Sequence, residues 1–554
     1  MSEEKRDIVR KYALRNAVKF EGKSTVGPVM GKVMGERDEF REDPQGTKEL
    51  VNEIVEEINK LSLHEQKAEL KKLMPEFFEE EEEEEEEDNL PGIEAENVKM
   101  RMAPYPSGPL HIGNARMVLL NDEYVKRNDG TLVLFYDDTI GSETKRLLPE
   151  AYDMIKEGLE WLNVGWHETY YKSDRMDIYY KYGRKILEMK EAYICECSQK
   201  SLREKREKGK ECDHRDRQKE ENLELWDKML DGEIEEGDAI VRLKTDMQHP
   251  DPAFRDRVLF RISKNEHPKV GKEYSVWPLL EFSWAVDDYL IGMTHILRGK
   301  DLVIEDRMEE YIWDLFGWKK PEFLHYGMLR LKDINLSKSE FQRKIREHEF
   351  KGWEDPRTWS MQSLRRRGIQ PEAVRGFILE FGMSETDIEV APSKLYSKNR
   401  EIIDPEANRY FFIPDPVKIE LVGEIEPKKA KVARHPSDSN RGYRELDVGR
   451  EVYIPRKEWD EYQGEEIRLK NFCNVELDGK EGKITGFENK DILKIQWLHD
   501  GIDVKVERPD ASLEDGLGEK NLMETEARDI IQFERYGFVK IQELDPFLVT
   551  FGHR

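Results

Sequence analysis

The sequence has few cysteines, fewer basic than acidic residues, and no long apolar run. Four cysteines among 554 residues are too few for a disulfide framework. No apolar run approaches the length of a membrane span, and the N-terminus, Met-Ser-Glu-Glu-Lys-Arg, lacks an apolar signal region. We therefore expect a cytoplasmic protein with no membrane partner, and the length predicts several domains.

Basic residues are outnumbered by acidic ones, 91 to 118, and the net charge is −27. Taken alone, this balance argues against a nucleic-acid partner. Ten consecutive acidic residues, 79–88, account for part of the excess of negative charge. For binding RNA, a local basic surface matters more than the net charge of the whole chain. Because like charges repel and nothing apolar is available to bury, the acidic run predicts a disordered linker.

One stretch, 103–114, combines a special turn with the start of a helix. Its sequence, Ala-Pro-Tyr-Pro-Ser-Gly-Pro-Leu-His-Ile-Gly-Asn, has three prolines and a glycine before His111, so the chain must turn there. Apolar residues alternate at 98–102, recur at helical spacing over 115–127 and form a run at 132–136, which predicts strand, helix and strand. In a doubly wound sheet this crossover is where nucleotides bind, with phosphate at the helix start. The alternative is a proline-rich turn whose histidine and asparagine only cap the helix.

Charged residues at two other places are candidates for ligand contact. Asp137 and Asp138 end the second predicted strand at its carboxyl end, where such folds place ligands. Two adjacent carboxylates there are either loop caps or binders of an ammonium group. More than two hundred residues after the turn, Leu336-Ser-Lys-Ser339 is flanked by charged residues and predicts a mobile loop that carries one ammonium, that of Lys338.

The spacing of cysteines predicts a metal site. Cys195-x-Cys197, followed after fourteen residues by Cys212-x-His214, puts three of the four cysteines in one window of twenty residues. Two tight ligand pairs separated by a loop match a tetrahedral zinc site with no open position, which predicts a structural role. The alternative is incidental thiols beside a basic helix.

The two ends of the chain differ in periodicity. Helical stripes over residues 1–78 predict a helical N-terminal appendage, which is either a small structural addition or a docking module for a partner protein or tRNA. Residues 341–405 again predict helices. From residue 406 onward the apolar period is two, with Gly and Pro between the runs, which predicts antiparallel β-barrels.

The turn containing His111 and the distant Ser337-Lys338-Ser339 loop together resemble the two ATP signatures of class I aminoacyl-tRNA synthetases. Over nearly its whole length the chain is most similar to archaeal-type glutamyl-tRNA synthetases. The resemblance implies a multidomain α/β plus β protein, in which a Rossmann-type parallel-sheet catalytic domain contains an inserted domain for the tRNA acceptor end. The implied parts are a helical appendage (1–78), an acidic linker (79–95), the two halves of the catalytic domain (96–190 and 273–340), the insert (191–272), a helical junction (341–405) and anticodon-binding β-barrels (406–554).

The activity implied by this resemblance is ATP-dependent activation of L-glutamate, with Mg²⁺, and transfer to the 2′-hydroxyl of the terminal adenosine of tRNA(Glu). Whether tRNA(Gln) is also charged stays open, and a glutaminyl-tRNA synthetase is the alternative. Catalysis by stabilising phosphate charge would fall to His111, Asn114 and Lys338. The implied ATP-binding residues are Pro104, Gly108, His111, Gly113, Asn114, Ser337 and Lys338.

The glutamate-binding residues implied by the resemblance are Arg101, Asp137, Leu280 and Arg298. Arg298 decides the choice of amino acid, because glutaminyl enzymes have an uncharged residue there and a guanidinium can pair with the glutamate carboxylate. Asp137 would hold the amino group. Two positions depart from the family pattern. Phe135 replaces an arginine, so the ion pair made by that arginine is expected to be absent. Leu280 replaces a tyrosine, which removes a hydroxyl that would hydrogen-bond to the side chain of the bound amino acid and help to select it.

Two further expectations concern the tRNA. Arg409 matches an arginine that contacts the anticodon, and the alternative is a solubilising cation at a strand edge. Some cations of the densely charged stretch 198–225 would meet acceptor-end phosphates. Relatives that use glutamate usually require bound tRNA before they activate it, and the same is expected here.

Overall fold

The computed structural model describes residues 3–19, 22–36, 40, 43–74, 90, 92–93, 97–140, 146–426 and 428–554. The chain forms two compact units, Met1–Leu90 and Pro91–Arg554. Most of the acidic linker predicted at 79–95 lies outside the described residues. In the described part, no helix is both long enough and apolar enough to cross a membrane.

The first unit is helical where it is described. Its helices are α1 Glu3–Lys19, α2 Val26–Glu36, α3 Pro44–Ile58 and α4 Leu63–Leu73. Two helix starts are capped by side chains: Asp43 accepts from the N–H of Gly46, and Ser62 forms a reciprocal capping box with Glu65. The apolar stripes of these helices pack into one core. The predicted helical N-terminus is confirmed.

The second unit begins with a parallel sheet whose strands are connected by helices. Its elements are β1 Lys99–Met102, α5 Ile112–Arg127, β2 Thr131–Tyr136, α6 Ala151–Trp161, β3 Glu168–Tyr171 and α7 Met176–Glu188. β1 pairs in parallel with β2, and β2 with β3. β2 is buried over its last five residues, as is expected of a central strand that is covered on both faces.

An antiparallel sheet then interrupts the parallel one. Its elements are β4 Ala192–Cys195, α8 Gln199–Glu207, α9 Lys219–Leu230, β5 Ile240–Leu243, β6 Val258–Ile262 and β7 Val276–Pro278. The strands lie in chain order, each antiparallel to the next. Trp226 of α9 packs edge-on against Phe260 of β6, with ring centroids 5.0 Å apart. Because β7 ends at Pro278, this sheet extends past residue 272, where the insert was predicted to end.

The parallel sheet resumes with α10 Leu280–Ile291, β8 His295–Gly299, α11 Val303–Phe316 and β9 Glu322–Tyr326. β8 pairs in parallel with β9. Thr294, just before β8, donates its N–H to the carbonyl of Lys99 in β1 (2.9 Å), so β8 lies beside β1. The strand order is therefore β3-β2-β1-β8-β9, with the change of winding direction between β1 and β8. Such a switch point opens a crevice at the carboxyl ends of the strands, and it confirms the Rossmann-type fold.

The next segment is mainly helical. Its elements are β10 Leu329–Leu331, α12 Lys338–Arg346, α13 Met361–Arg366, α14 Pro371–Leu379, β11 Ile388–Val390 and α15 Ser393–Ile403. Arg116 of α5 is fully buried and donates to the carbonyls of Gly327 (2.7 Å) and Gly382 (2.9 Å). These hydrogen bonds fasten the helical segment to the helix that follows the special turn.

The C-terminal part is built from short strands. They are β12 Arg409–Tyr410, β13 Phe412–Pro414, β14 Pro416–Val422, β15 Lys429–Ala433, β16 Tyr443–Asp447, β17 Glu451–Pro455, β18 Glu466–Leu469, β19 Asn474–Asp478, β20 Glu481–Gly486, β21 Lys494–Ile495, β22 Ile502–Glu507, β23 Leu513–Gly518, β24 Ile530–Phe533, β25 Gly537–Leu544 and β26 Phe547–His553, with one helix, α16 Arg456–Glu461. One sheet has the order β12-β24-β25-β26-β22-β23-β13. Since β12 and β13 are separated only by Phe411, this sheet returns to its starting point and forms a barrel.

A second sheet has the order β17-β14-β20-β19-β18-β21. The barrel-like architecture predicted for this region is confirmed, but the strands are not all antiparallel. Four pairs are parallel: β12 with β24, β14 with β20, β18 with β21 and β22 with β26. These strands are distant in the chain, so no hairpin turn forces them to be antiparallel.

Candidate active site

Two cavities lie at the switch point between β1 and β8. The larger has a volume of about 840 Å³, and the predicted site residues that line it are Arg101, His111, Gly113, Asp137, Leu280 and Arg298. The smaller has a volume of about 320 Å³ and is lined by Pro104, His111, Asn114, Ser337 and Lys338, among others. The fold thus brings together residues from four separate parts of the chain, and His111 borders both cavities.

His111 is held at the start of α5 in one tautomer. It is the N-cap of the helix: its Nδ1 accepts from the N–H of Gly113 (3.1 Å), and its own N–H donates to Oδ1 of Asn114 (3.4 Å). Burial, with a smaller contribution from the positive charge of Lys338, lowers the pKa of His111 to about 3. The imidazole is therefore neutral at pH 7 with its proton on Nε2, because Nδ1 is used as an acceptor. A neutral ring in this tautomer can still donate to a phosphate oxygen.

Lys338 reaches the turn from the other side of the crevice. It is the first residue of α12, whose N-cap Ser337 accepts from the N–H of Glu340 (3.4 Å). Its Nζ lies 3.4 Å from the carbonyl oxygen of Gly108, a residue 230 positions earlier. Gln342 of the same helix donates to the carbonyl of Ser107 (2.5 Å). The segment predicted as a mobile loop therefore runs directly into a helix that is hydrogen-bonded to the turn.

The glycines of the turn make room for protein groups. A Cβ on Gly113 would lie 3.0 Å from the imidazole ring of His111 and 3.4 Å from Leu336. A Cβ on Gly108 would lie 2.6 Å from the ring of Trp353, and the φ of +149° at Gly108 disfavours any other residue. In the structure, Gly108 does not line either cavity, so its contribution to the turn is close packing.

Arg101 and Asp288 form a buried ion pair in the wall of the larger cavity. The Nε and Nη2 of Arg101 donate to the two carboxylate oxygens of Asp288 at 2.5 and 2.7 Å. The guanidinium also lies 3.5 Å from the ring centroid of Trp284. Fork-to-fork pairing and stacking on a ring fix the plane of the guanidinium, so its free edge is preoriented.

Asp137 also has a buried cationic partner. Lys172 Nζ lies 3.0 Å from Oδ1 of Asp137. Phe135, which departs from the family pattern of an arginine at this position, packs edge-on against Trp284, with ring centroids 4.9 Å apart. Position 135 therefore supplies no cation to Asp137, and Lys172 supplies one instead. Asp138 is buried as well: it accepts from the hydroxyls of Ser173 and Tyr152 and does not line the cavity.

Arg298 is buried, with 6 % of its surface exposed, and lines the larger cavity. Its Nε donates to Oδ1 of Asp306 (2.5 Å) and its Nη1 to Oε1 of Glu309 (2.9 Å). Both carboxylates belong to α11 and neither lines the cavity, so they hold the guanidinium from behind. Asp306 is itself held by Nε2 of His325 (2.5 Å). Burial raises the pKa of Glu309 to about 8, against the opposing effect of Arg298.

Leu280, the first residue of α10, lines the cavity and packs against the apolar cluster of Val133, Phe135 and Trp284. This position offers the ligand no hydroxyl.

Arg409 lies far away in the chain on β12, where it is buried, donates to Asp404 and Ala407, and lines a separate pocket of about 370 Å³. Its burial does not fit a solubilising cation at a strand edge.

The four predicted metal ligands form one cluster. One ligand atom from each of Cys195, Cys197, Cys212 and His214 lies within 4.8 Å of all the others. The Sγ atom of Cys212 is 3.6 and 3.3 Å from those of Cys195 and Cys197, and 3.2 Å from Nδ1 of His214. Ligands of a tetrahedral zinc ion, each about 2.3 Å from it, would be roughly 3.8 Å apart. The donor set and spacing therefore fit a bound metal ion.

Several residues of the site carry no signal in the sequence. Asp306 and Glu309 fall eight and eleven residues after Arg298, on a helix whose charges look like any solvated face. Asp288 stands in an acidic pair, but only the fold shows that it faces Arg101. Lys172 has no local motif at all. Their partners lie far away in the sequence, and pairing across strands and helices is a property of the tertiary structure.

Comparison with protein families agrees with this geometry. Residues 97–405 match the catalytic domain of the tRNA synthetases class I (E and Q), and 407–491 and 494–542 match two models of their anti-codon binding domain. The chain therefore belongs to the class I tRNA synthetases of the glutamate and glutamine group, and it is an aminoacyl-tRNA synthetase, a ligase.

Individual relatives narrow the group further. The glutamate–tRNA ligase of Methanopyrus kandleri is 42% identical over 98% of this chain and 97% of its own length. That of Methanocaldococcus jannaschii is 43% identical over 98% of this chain and 99% of its own length. That of Methanosarcina mazei is 41% identical, and the match covers the whole of both chains. The similarity to archaeal glutamate–tRNA ligases expected from the motifs is confirmed.

Proposed function

We propose that this protein is a glutamate–tRNA ligase that activates L-glutamate with ATP and transfers it to tRNA(Glu). The observation that carries the proposal is a buried Arg298 in the same cavity as Arg101, Asp137 and His111. One cavity thus offers a cation for a side-chain carboxylate, a carboxylate for an amino group, and a helix start for phosphates. The full-length relatives named glutamate–tRNA ligase support it.

The same features explain why glutamine is not the proposed substrate. A carboxamide cannot neutralise Arg298, so the guanidinium would stay buried with only its internal partners. The relatives of this chain carry the glutamate name, and they do not support the glutaminyl alternative.

Catalysis would consist of positioning and charge stabilisation. The α-carboxylate of glutamate attacks the α-phosphorus of ATP, and pyrophosphate leaves. The terminal 2′-hydroxyl of the tRNA then attacks the acyl carbon of the glutamyl-adenylate, the bond to AMP breaks, and AMP leaves with loss of the hydroxyl proton to solvent. His111 would donate from Nε2 and Asn114 from Nδ2 to phosphate oxygens, and Lys338 would approach the β- and γ-phosphates. Mg²⁺ would enter together with ATP and would supply positive charge that offsets the charge of the phosphates.

The test is isotope exchange between ATP and pyrophosphate, with glutamate or glutamine as substrate and with or without tRNA(Glu). We expect exchange with glutamate only, and only when tRNA is present. Exchange with glutamine, or with neither amino acid, would refute the assignment. Charging of tRNA(Gln) with glutamate is measured in the same preparation with that tRNA as acceptor.

The domain functions follow from the same proposal. We assign 96–190 and 279–340 to the catalytic domain, 191–278, whose sheet includes β7, to acceptor-end binding, 341–405 to the junction and 406–554 to anticodon binding, in a cytoplasmic protein. Arg409 would contact the anticodon, since it lines its pocket together with Lys470 and Arg535.

Zinc is the metal proposed for the cluster of Cys195, Cys197, Cys212 and His214. Thiolate and imidazole donors in a closed set of four suit Zn²⁺ in a structural role. The cluster joins the end of β4 to the segment before α9, so a bound ion would stabilise the insert.

A further inference from the structure

Lys172 is the one fully buried lysine side chain that touches a residue of the proposed glutamate site in the part of the chain that the structure describes. It begins a short 3₁₀ helix, Lys172–Arg175, directly after β3, and none of its surface is exposed. Its Nζ lies 3.0 Å from Oδ1 of Asp137, donates to Oγ of Ser283 (2.7 Å), and lies 3.7 Å from the ring centroid of Trp284. A carboxylate, a hydroxyl and an aromatic face therefore surround the ammonium.

Two of the three groups around Lys172 line the glutamate cavity. Asp137 and Trp284 line the cavity, and Ser283 lies on α10 between Leu280 and Trp284, while Lys172 itself does not line it. Lys172 therefore reaches the carboxylate of Asp137 from the protein side. It engages Oδ1, and the described residues provide no hydrogen bond to Oδ2. One carboxylate oxygen is thus anchored and the other is left for a ligand.

The charges of this wall are balanced one for one. Arg101 pairs with Asp288, Arg175 with Asp287, and Lys172 with Asp137, so three cations face three carboxylates. Burial lowers the pKa of Lys172, while Asp137 and Asp287 act in the opposite direction. Removing the lysine would leave Asp137 without its cationic partner and without the contact that fixes its rotamer.

We propose that Lys172 is a positioning residue for glutamate recognition: by anchoring Oδ1 of Asp137 it presents Oδ2 to the α-ammonium of the substrate. The inference rests on the proposed function, because it takes Asp137 as the acceptor for that ammonium. Lys172 is therefore expected to affect binding of the substrate's amino group and to leave binding of its two carboxylates unchanged.

The test compares a substrate and an inhibitor that differ only in that amino group. In full-length Lys172→Met with saturating ATP and tRNA(Glu), we expect the KM for glutamate to rise about tenfold to a hundredfold, as for loss of a charged hydrogen bond. The inhibition constant of glutarate, which has both carboxylates and no amino group, should change less than threefold. In Lys172→Arg the KM should rise less than in Lys172→Met, because the arginine keeps a cation beside Asp137. Lys269→Met is the matched control: that lysine lies over the ring of Tyr171 and pairs with Asp174, outside the cavity, and the KM should not change.

A double variant separates positioning from mere structural support. If Lys172 acts through Asp137, Lys172→Met should add nothing to the KM effect of Asp137→Asn. Equal weakening of glutamate and glutarate, additive effects in the double variant, or an unchanged or lower KM in Lys172→Met would each overturn the inference. A wild-type enzyme that activates no glutamate at all would instead refute the proposed function.

Discussion

Replacing Arg298 with glutamine tests the glutamate assignment most directly. The substitution removes the one cation of the cavity whose charge is proposed to meet the substrate side chain, while leaving a polar side chain of lower volume. A hydrogen bond to a charged group contributes about 1.5–3 kcal/mol, so kcat/KM for glutamate should fall roughly 10- to 150-fold. The KM for ATP should change little, because Arg298 does not line the smaller cavity, where Asn114, Ser337 and Lys338 lie.

The same substitution has a structural cost that must be measured separately. Asp306 and Glu309 would lose the guanidinium that they share, and breaking a buried ion pair typically costs about 3–5 kcal/mol. The double variant Arg298→Gln with Glu309→Gln removes one of the two buried carboxyl groups that lose their hydrogen-bond donor. It should regain thermal stability relative to the single variant without regaining glutamate activation.

The assay is tRNA-dependent pyrophosphate exchange, run with glutamate and with ATP as the varied substrate, alongside thermal unfolding. Equal losses in the glutamate and ATP parameters would show that Arg298 does not contact the substrate side chain. Recovery of activity in the double variant would show that the loss came from destabilisation and not from a missing contact.

Three other outcomes are expected. Lys338→Ala should lower the rate of glutamyl-adenylate formation by about 10²-fold or more, as for loss of a charge contact in the transition state. Lys344→Ala should stay near wild type, because Lys344 pairs with Glu340 on the same helix and lines neither cavity. Near-normal turnover of Lys338→Ala would remove that residue from the mechanism. Cys212→Ser should lose bound zinc and lower the unfolding temperature, while Cys473→Ser should keep its zinc; equal zinc content in both would exclude the cluster as the metal site. The pKa of Glu309 is about 8 in the folded state, above its ordinary value of 4.5, so between these two pH values the folded protein binds one proton more than the unfolded chain. The stability that Glu309 contributes is therefore fully present at low pH and is lost as the pH rises to 8. The unfolding free energy of wild type relative to Glu309→Gln should therefore fall between about pH 4.5 and 8, by up to ~1.4 kcal/mol per pH unit, and level off above that range. Parallel curves would show that Glu309 does not titrate in this range.

Local order was readable from the sequence wherever neighbouring residues determine it. Prolines and a glycine before His111 force a turn whatever surrounds them, and apolar spacing of 3.6 or 2 residues decides which face of a helix or strand is buried. The cysteine spacing was equally informative, because ligands two residues apart from each other must lie on one side of a short segment. The motifs and their order along the chain also indicated the family.

Domain boundaries and the directions of paired strands could not be predicted as well from the sequence. The insert extends past residue 272 because β7 adds a fourth strand to its sheet, and a three-residue strand carries almost no pattern of its own. The parallel pairs of the C-terminal sheets join strands far apart in the chain, and local periodicity cannot register which distant strand will be the neighbour.

By itself the sequence determined which residues are available for chemistry: His111 at a helix start, Lys338 after a serine, an arginine at 298 and a four-ligand cluster. Only the tertiary structure decided what each of them faces. Arg298 is tied to Asp306 and Glu309, and Asp137 to Lys172, because burial in a low-dielectric wall requires every charge to find a partner and the fold alone determines which partner is near.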